Sequence, residues 1–237
     1  MPTVVFVSPK GGVGKTTSAL LLATQLANLY DVTVIDADPN RPIKAWASGG
    51  KAPARMAIVS DADEDNIIER IEEAATKTPL VVVDLEGSAA KIVVLAVSQA
   101  DFVVIPTQGS QLDAEQASRA IKVVKQHEKM TGRAMPYGVL LTRTNPTIRT
   151  RNTTHIQNGL IAAGIPVLET ELNEREAFRS VFSFRQTLAG LDPKDVANLD
   201  KARHNVEAFA AEILGKLAPQ TAGRDLPPDA KAAQQVA

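Results

Sequence analysis

The sequence predicts an α/β protein built on a doubly wound, mostly parallel sheet with helices on both faces. Short Val/Ile-rich runs alternate along the chain with longer segments of helical periodicity. These runs are continuously apolar, as expected of strands covered on both sides. Several of them end in Asp or in a glycine-rich turn, and sheets of this kind bind ligands at the carboxyl ends of their strands.

The first strand is expected at 3–8, where Val4-Val5-Phe6-Val7 leads into Ser8-Pro9-Lys10-Gly11-Gly12-Val13-Gly14-Lys15-Thr16-Thr17 and then a helix over 16–30. Strand, glycine-rich turn and helix form the setting a P-loop requires. Glycines let backbone N–H groups approach phosphate oxygens, and the helix amino terminus adds partial positive charge. Gly11, Gly12, Val13, Gly14, Lys15, Thr16 and Thr17 are the expected ATP-binding residues, with Lys15 at the β- and γ-phosphates and Thr16 on Mg²⁺.

The second strand, 32–36, ends Ile35-Asp36-Ala37-Asp38-Pro39-Asn40. Side chains two apart on a strand share a face, so Asp36 and Asp38 can both face the nucleotide, although the turn at Pro39 can rotate Asp38 away. A third strand at 57–59 and a helix at 63–76 precede Val81-Val82-Val83-Asp84-Leu85-Glu86-Gly87. There Asp84 reads as the carboxylate that holds Mg²⁺ through water, and Gly87 as the γ-phosphate sensor. Glu86 reads as a solvated turn acid. Further helices are expected at 89–99, 113–131, 152–163 and 193–217, and strands at 102–106, 138–142 and 166–168. With 44% hydrophobic residues in 237, the chain can bury one large core. A single domain over 1–217 follows. The tail 218–237, with Pro219, Pro227 and Pro228 and no apolar periodicity, is expected to be disordered.

The glycine loop departs from the usual pattern: Pro9 stands at the first glycine position and Lys10 directly before the glycine pair. This form resembles the deviant Walker A box of the ParA/MinD family of ATPases. Asp36-Ala37-Asp38-Pro39-Asn40 likewise resembles that family's D-x-D-P-Q box, and the Asn40-Arg41-Pro42 continuation its conjugative, T-DNA-recruiting branch. The resemblance implies an ATP- and Mg²⁺-dependent ATPase, slow without a partner, that forms a homodimer with ATP. It implies that Lys10 reaches the partner's nucleotide, that Asp38 orients the attacking water, and that Asp36 lies near Lys15 and Mg²⁺. Catalysis thus falls to Lys10, Lys15 and Asp38, and metal binding to Thr16, Asp36 and Asp84. Arg143 and Asn145, after the sixth strand, stand where the family packs its adenine. Thr107 to Gln111 would lie near the mouth of the site, and Trp46 packs beneath the switch loop.

Cys is absent, which excludes disulfides and the cysteine-dependent branches of this superfamily. No apolar run suits a bilayer and no secretory signal precedes the first strand, so the expected location is cytoplasmic, nucleoid-associated when ATP is bound. Net charge is −1, so DNA attraction needs a local patch. Charge is segregated: 61–73 is strongly acidic, and 129–168 carries Lys129, Arg133, Arg143, Arg149 and Arg151 with no acid. By resemblance, non-specific DNA contacts fall in the C-terminal third, with Arg149, Arg151, Arg175, Arg179, Arg185, Lys201 and Arg203 as candidates. A ParB-like or cargo adaptor is the expected protein partner. A MinD-like membrane-associated reading needs a basic amphipathic C-terminus, and Ala230 to Ala237 offers one Lys and no bulky apolar face. An ATP-dependent metabolic ligase would lack Lys10.

Overall fold

The structure is a computed structural model, and residues 1–86, 90–148 and 150–221 are described. Seven strands form one sheet in the order β3-β2-β4-β1-β5-β6-β7, and every paired register is parallel. They are β1 (Thr3–Phe6), β2 (Val32–Ala37), β3 (Met56–Val59), β4 (Leu80–Leu85), β5 (Phe102–Thr107), β6 (Tyr137–Thr144) and β7 (Leu172–Asn173). Strand β1 lies centrally between β4 and β5, and the chain winds outward from it in both directions. Its carboxyl end is therefore the switch point at which such sheets open a ligand crevice.

The helices are α1 (Lys15–Leu26), α2 (Pro42–Ala47), α3 (Ile67–Lys77), α4 (Ala90–Ser98), α5 (Gln111–Thr131), α6 (Arg151–Ala162), α7 (Glu176–Ser183) and α8 (Leu199–Thr221). Alternation along the strands sorts the core into two layers. Val4, Phe6, Val34 and Val82 pack with Leu20 of α1, Trp46 of α2, Phe178 of α7 and Phe209 of α8. Val5, Ile35, Val83 and Ile105 pack with α3, α4, α5 and α6 through Ile71, Val97, Ala120 and Ile156. Each large side chain fully buried this way stabilises the fold by about 1.5–3 kcal/mol. Among the described residues no helix is long and apolar enough to cross a membrane.

Several boundaries move for local reasons. The carboxylate of Asp63 accepts the backbone N–H groups of Asp65 and Asn66, at 2.9 and 3.1 Å, so α3 starts at Ile67 rather than 63. Likewise, Asp192 accepts the Lys194 N–H at 2.8 Å, and α8 starts at Leu199 rather than 193. That helix runs to Thr221, past the expected end of the domain; the rest of the tail lies outside the described residues. The expected strand at 166–168 is reduced to one bridge, Val139 to Val167, beside a proline that has no N–H to give. The seventh strand is instead β7. Helices α2 and α7 are additional, each short and held by neighbours: the Trp46 indole N–H donates to the carbonyls of Val181 and Gln186, 3.1 Å each, tying α2 to α7. Trp46 thus packs against α7.

Candidate nucleotide and magnesium site

The glycine loop follows β1 and turns through two left-handed residues, Gly12 (φ +77°) and Gly14 (φ +92°), where a side chain would strain the backbone. Neighbouring strands fix it. The Thr142 hydroxyl donates to the carbonyl of Val13 (2.7 Å), and the Gln108 amide donates to that of Gly12 (3.0 Å). Gly14 caps the amino terminus of α1, and Lys15 is buried, with 8% of its surface exposed. Gly11, Gly12, Gly14, Lys15, Thr16 and Thr17 line a cleft of about 380 Å³, together with Pro9, Asp38, Asn40, Glu86 and Arg143. Val13 is buried behind the loop, which it anchors.

Behind this cleft stand two buried carboxylates. Asp36 and Asp84 are register partners on β2 and β4, and both are fully buried. Neither oxygen of Asp84 has a hydrogen-bond partner of full geometry among the described residues. Burial pushes the Asp84 carboxyl up to about 7; the Lys15 ammonium and Thr16 hydroxyl oppose the rise, and Asp36 and Asp38 add to it. Burial also raises Asp36, against the N–H groups of Lys44 and Ile43 and the charge of Arg41. One Asp36 oxygen accepts the Lys44 N–H at 2.9 Å and so helps hold the start of α2, while the other has no partner among the described residues. Asp36 therefore has a structural task that the sequence does not disclose. A buried, unpartnered carboxylate oxygen beside a threonine hydroxyl suits a hard cation such as Mg²⁺, which takes oxygen donors. Thr16 and Asp84 fit the ion directly, and the free Asp36 oxygen lies on the same face of the sheet.

Asp38 is beyond the end of β2, and one carboxylate oxygen accepts both the N–H (2.8 Å) and the side-chain amide (3.0 Å) of Asn40. The turn continues into Arg41, left-handed at φ +48°, whose guanidinium donates to the carbonyls of Asp36 and Ala62. Glu86 lines the same cleft as Asp38. Gly87 lies outside the described residues.

A second cavity, of about 320 Å³, adjoins the loop at Gly14, Thr17 and Ser18. Leu172, Phe178 and Phe182 give it apolar walls, and Asn173, Glu174 and Arg175 add polar groups, dimensions and chemistry that suit a purine nucleoside. Arg143, left-handed at φ +52°, borders both cavities. Asn145 borders neither: its side chain accepts the N–H groups of Thr147 (2.8 Å) and Ile148 (2.9 Å) and closes its own turn.

The family model described as VirC1 protein matches residues 1–201 of the chain. The chain belongs to the VirC1 family. It is also 38% identical over 218 residues to Protein ParA of Rhizobium radiobacter, covering 92% of this chain and 98% of that protein. Similar solved structures include a Cyanothece McdA–ATP complex, with TM-score 0.68, 17% identity and coverage of 90% and 96% of the two chains. The septum site-determining protein MinD of Pyrococcus horikoshii, complexed with Mg-ADP, also has TM-score 0.68, at 16% identity, over 90% and 95%. The fold and the ParA/MinD kinship expected from the glycine loop are thus shown.

In this VirC1-family chain Lys10 folds back along its own subunit. Its ammonium donates to Asp113, 2.5 Å away; Asp113 is 3% exposed and Lys10 41%. Asp113 is held in turn by Ser110, which caps α5 and donates its hydroxyl to the other Asp113 oxygen. The Ser110-Gln111-Leu112-Asp113 spacing is a capping-box signal that was available in the sequence.

The basic residues of the C-terminal third are mostly engaged. Arg175 turns inward, donates to the Asn173 side chain at 3.1 Å and lines the nucleoside-sized cavity. Arg179 pairs with Glu174 at 2.5 Å. Arg185 bonds the Ser48 hydroxyl at 2.9 Å, and Arg203 donates to the carbonyls of Leu188 and Ala189 at the foot of α8. Lys201 and Arg151 are exposed at the first turns of α8 and α6. Arg149 lies outside the described residues. Missed by sequence reasoning, Asn205 of α8 clamps the wall of the nucleoside cavity: its side chain accepts the Asn173 N–H (3.0 Å) and donates to the Glu171 carbonyl (2.7 Å).

Proposed function

We propose that the chain is an ATPase of the ParA/MinD type that dimerises with ATP and positions DNA or a DNA-bound complex. The observation that carries this reading is the pairing of a phosphate-cradling loop with an unpartnered, fully buried Asp84 beside Lys15 and Thr16. The loop N–H groups and Lys15 hold the β- and γ-phosphates, with the adenosine in the cavity walled by Leu172 and Phe178. Thr16 and Asp84, with the free oxygen of Asp36, would hold Mg²⁺, which when bound would supply positive charge against that developing on the phosphate oxygens. Asp38 faces the cleft and orients water for attack on the γ-phosphorus, and the bond to the bridging oxygen of ADP breaks. Lys10 leaves Asp113 and crosses to the partner's nucleotide, which makes dimerisation the signal for ATP. Gly87 senses the γ-phosphate. Hydrolysis is slow until an adaptor aligns the site.

DNA binding is non-specific and relies on phosphate contacts, with Arg149 as a candidate from the sequence and Arg151 and Lys201 as exposed candidates. Arg175 and Arg203 make inward bonds and are left out of this proposal. The test is a salt titration of binding to a random-sequence duplex, with a slowly hydrolysed ATP analogue and with ADP. Binding at least tenfold tighter with the analogue is expected, because a dimer presents each patch twice. Arg149→Ala with Arg151→Ala lowers the salt slope by about 0.9 per lost phosphate contact. Equal, weak binding with both nucleotides would remove DNA from the proposal and leave recruitment through protein contacts.

A further inference from the structure

Helices α3, α4 and α5 lie side by side on one face of the sheet, sharing the core layer that contains Val5, Ile35 and Val83. Their outward stripes differ sharply in charge. On α3, Ile67, Ile71 and Ala74 face inward, and Glu69, Glu72 and Glu73 stand exposed on the opposite side. On α5, Asp113, Ala117, Ala120, Ile121 and Val124 face inward, and Arg119, Lys122 and Lys129 stand exposed opposite them. Glu115 is an exposed acid near the start of that stripe. Between the rows, α4 presents Val94, 41% exposed.

Apart from Glu73, which pairs with Arg70 and Lys77, the charges of the two rows are unmatched among the described residues. Among the described residues, Glu69, Glu72, Arg119, Lys122 and Lys129 make no ion pair. Neighbouring charges are already matched: Arg70 with Asp61 (2.8 Å) and Glu73 (3.3 Å), Lys91 with Glu64 (3.6 Å) and Asp65 (3.5 Å), and Lys125 with Glu128 (2.8 Å).

We propose that this three-helix face docks on the same face of a second copy. Adjacent helices sit about 10 Å apart, so the rows are roughly 20 Å apart across α4. A partner of one charge sign, such as a DNA duplex about as wide as that separation, is drawn to one row and repelled by the other. A second copy satisfies both. Rotation by 180° about an axis along α4 lays the acidic row of each copy on the basic row of the other and brings the two Val94 side chains together. An axis across the helices would set like charges face to face, so charge fixes the orientation, and the interface is isologous. The contact is made mainly of charged pairs around one valine, so it is weak and strongly dependent on salt. This face is away from the nucleotide cleft, which opens at the carboxyl ends of the strands. The two contacts are therefore compatible, and together they link nucleotide-bridged dimers into longer assemblies.

Sedimentation velocity without nucleotide, in a Lys15→Ala background, isolates this contact, so its failure leaves the ATP-dependent dimer untouched. Association at about 50 mM salt that is lost at about 500 mM is the expected behaviour. Glu69→Lys with Glu72→Lys, and separately Lys122→Glu with Lys129→Glu, should each stay monomeric at low salt. An equimolar mixture of the two should associate, because one then carries two basic rows and the other two acidic rows. Val94→Asp should weaken association at least fivefold. The proposal is overturned if the parent protein is monomeric at low salt, if either charge variant associates alone as the parent does, or if the mixture does not associate.

Discussion

A carboxylate buried without a hydrogen-bond partner costs several kcal/mol unless it is protonated or meets a cation. Asp84 is close to that position, with no partner of full geometry among the described residues and only partial help from Lys15 and Thr16, and its raised pKa gives a signed expectation for the Mg²⁺-free protein. The unfolded chain releases the Asp84 proton near 4 and the folded chain near 7, so stability falls as pH rises between those values and stays reduced above them. Asp84→Asn removes that penalty. Without Mg²⁺ at pH 8 its melting temperature should exceed that of wild type by several degrees, since about 1 kcal/mol shifts a domain of this size by about 2–4 °C. The same variant should lose Mg²⁺-dependent ATP binding. A variant that melts lower at pH 8 would mean that the carboxylate is satisfied in a way the geometry does not reveal. Asp38 gives a complementary expectation. Its carboxylate faces the cleft from a turn that Asn40 holds, so Asp38→Ala should keep ATP affinity within about threefold and lower turnover by roughly a hundredfold. Single-turnover hydrolysis together with calorimetry separates the two quantities, and wild-type turnover would remove Asp38 from the chemistry.

At the scale of the element, the parts of the fold that follow from strong local signals were legible. The strands β1, β2, β4 and β5 are runs of Val and Ile ended by polar turns, and the glycine loop could be placed to the residue. What was not legible depends on distant partners. Helix α2 is six residues long and is held by the Asp36 carboxylate and by the Trp46 bonds to α7. Strand β7 is two residues that pair with β6, held by Asn205 from α8, which fixes the backbone on either side of Leu172, and by the Asn173 side chain, which donates to the Thr144 hydroxyl. No periodicity announces such contacts. The candidate site divides similarly: Lys15, Thr16 and Asp84 were readable from motif spacing, whereas the tie from Lys10 to Asp113 and the inward turn of Arg175 were not. Helix α8 therefore acts on the nucleoside cavity from behind. Asn205→Ala should weaken ATP binding about five- to tenfold, roughly 1 kcal/mol, with kcat nearly unchanged. Asn205→Asp keeps the acceptor for the Asn173 N–H and loses the donor to Glu171, so it should fall between. Titration of ATP into the three proteins checks the order, and an affinity unchanged in Asn205→Ala would sever α8 from the cavity.

At the scale of the whole molecule, the sheet puts two surfaces to different uses. The carboxyl ends of the strands carry the cleft and Lys10, where the proposed ATP-dependent contact would form. The face of α3, α4 and α5 carries the segregated charge. The central claim is that nucleotide sets the oligomeric state through Lys10. Light scattering at about 500 mM salt, where the charged face is screened, measures it with a slowly hydrolysed ATP analogue and with ADP. From a chain mass of 25.2 kDa, the account predicts that the mass doubles with the analogue and stays single with ADP. It also predicts that Lys10→Ala remains monomeric while binding the analogue with near wild-type affinity. A wild-type protein saturated with the analogue yet still monomeric, or a Lys10→Ala variant that dimerises as fully as wild type, would contradict it.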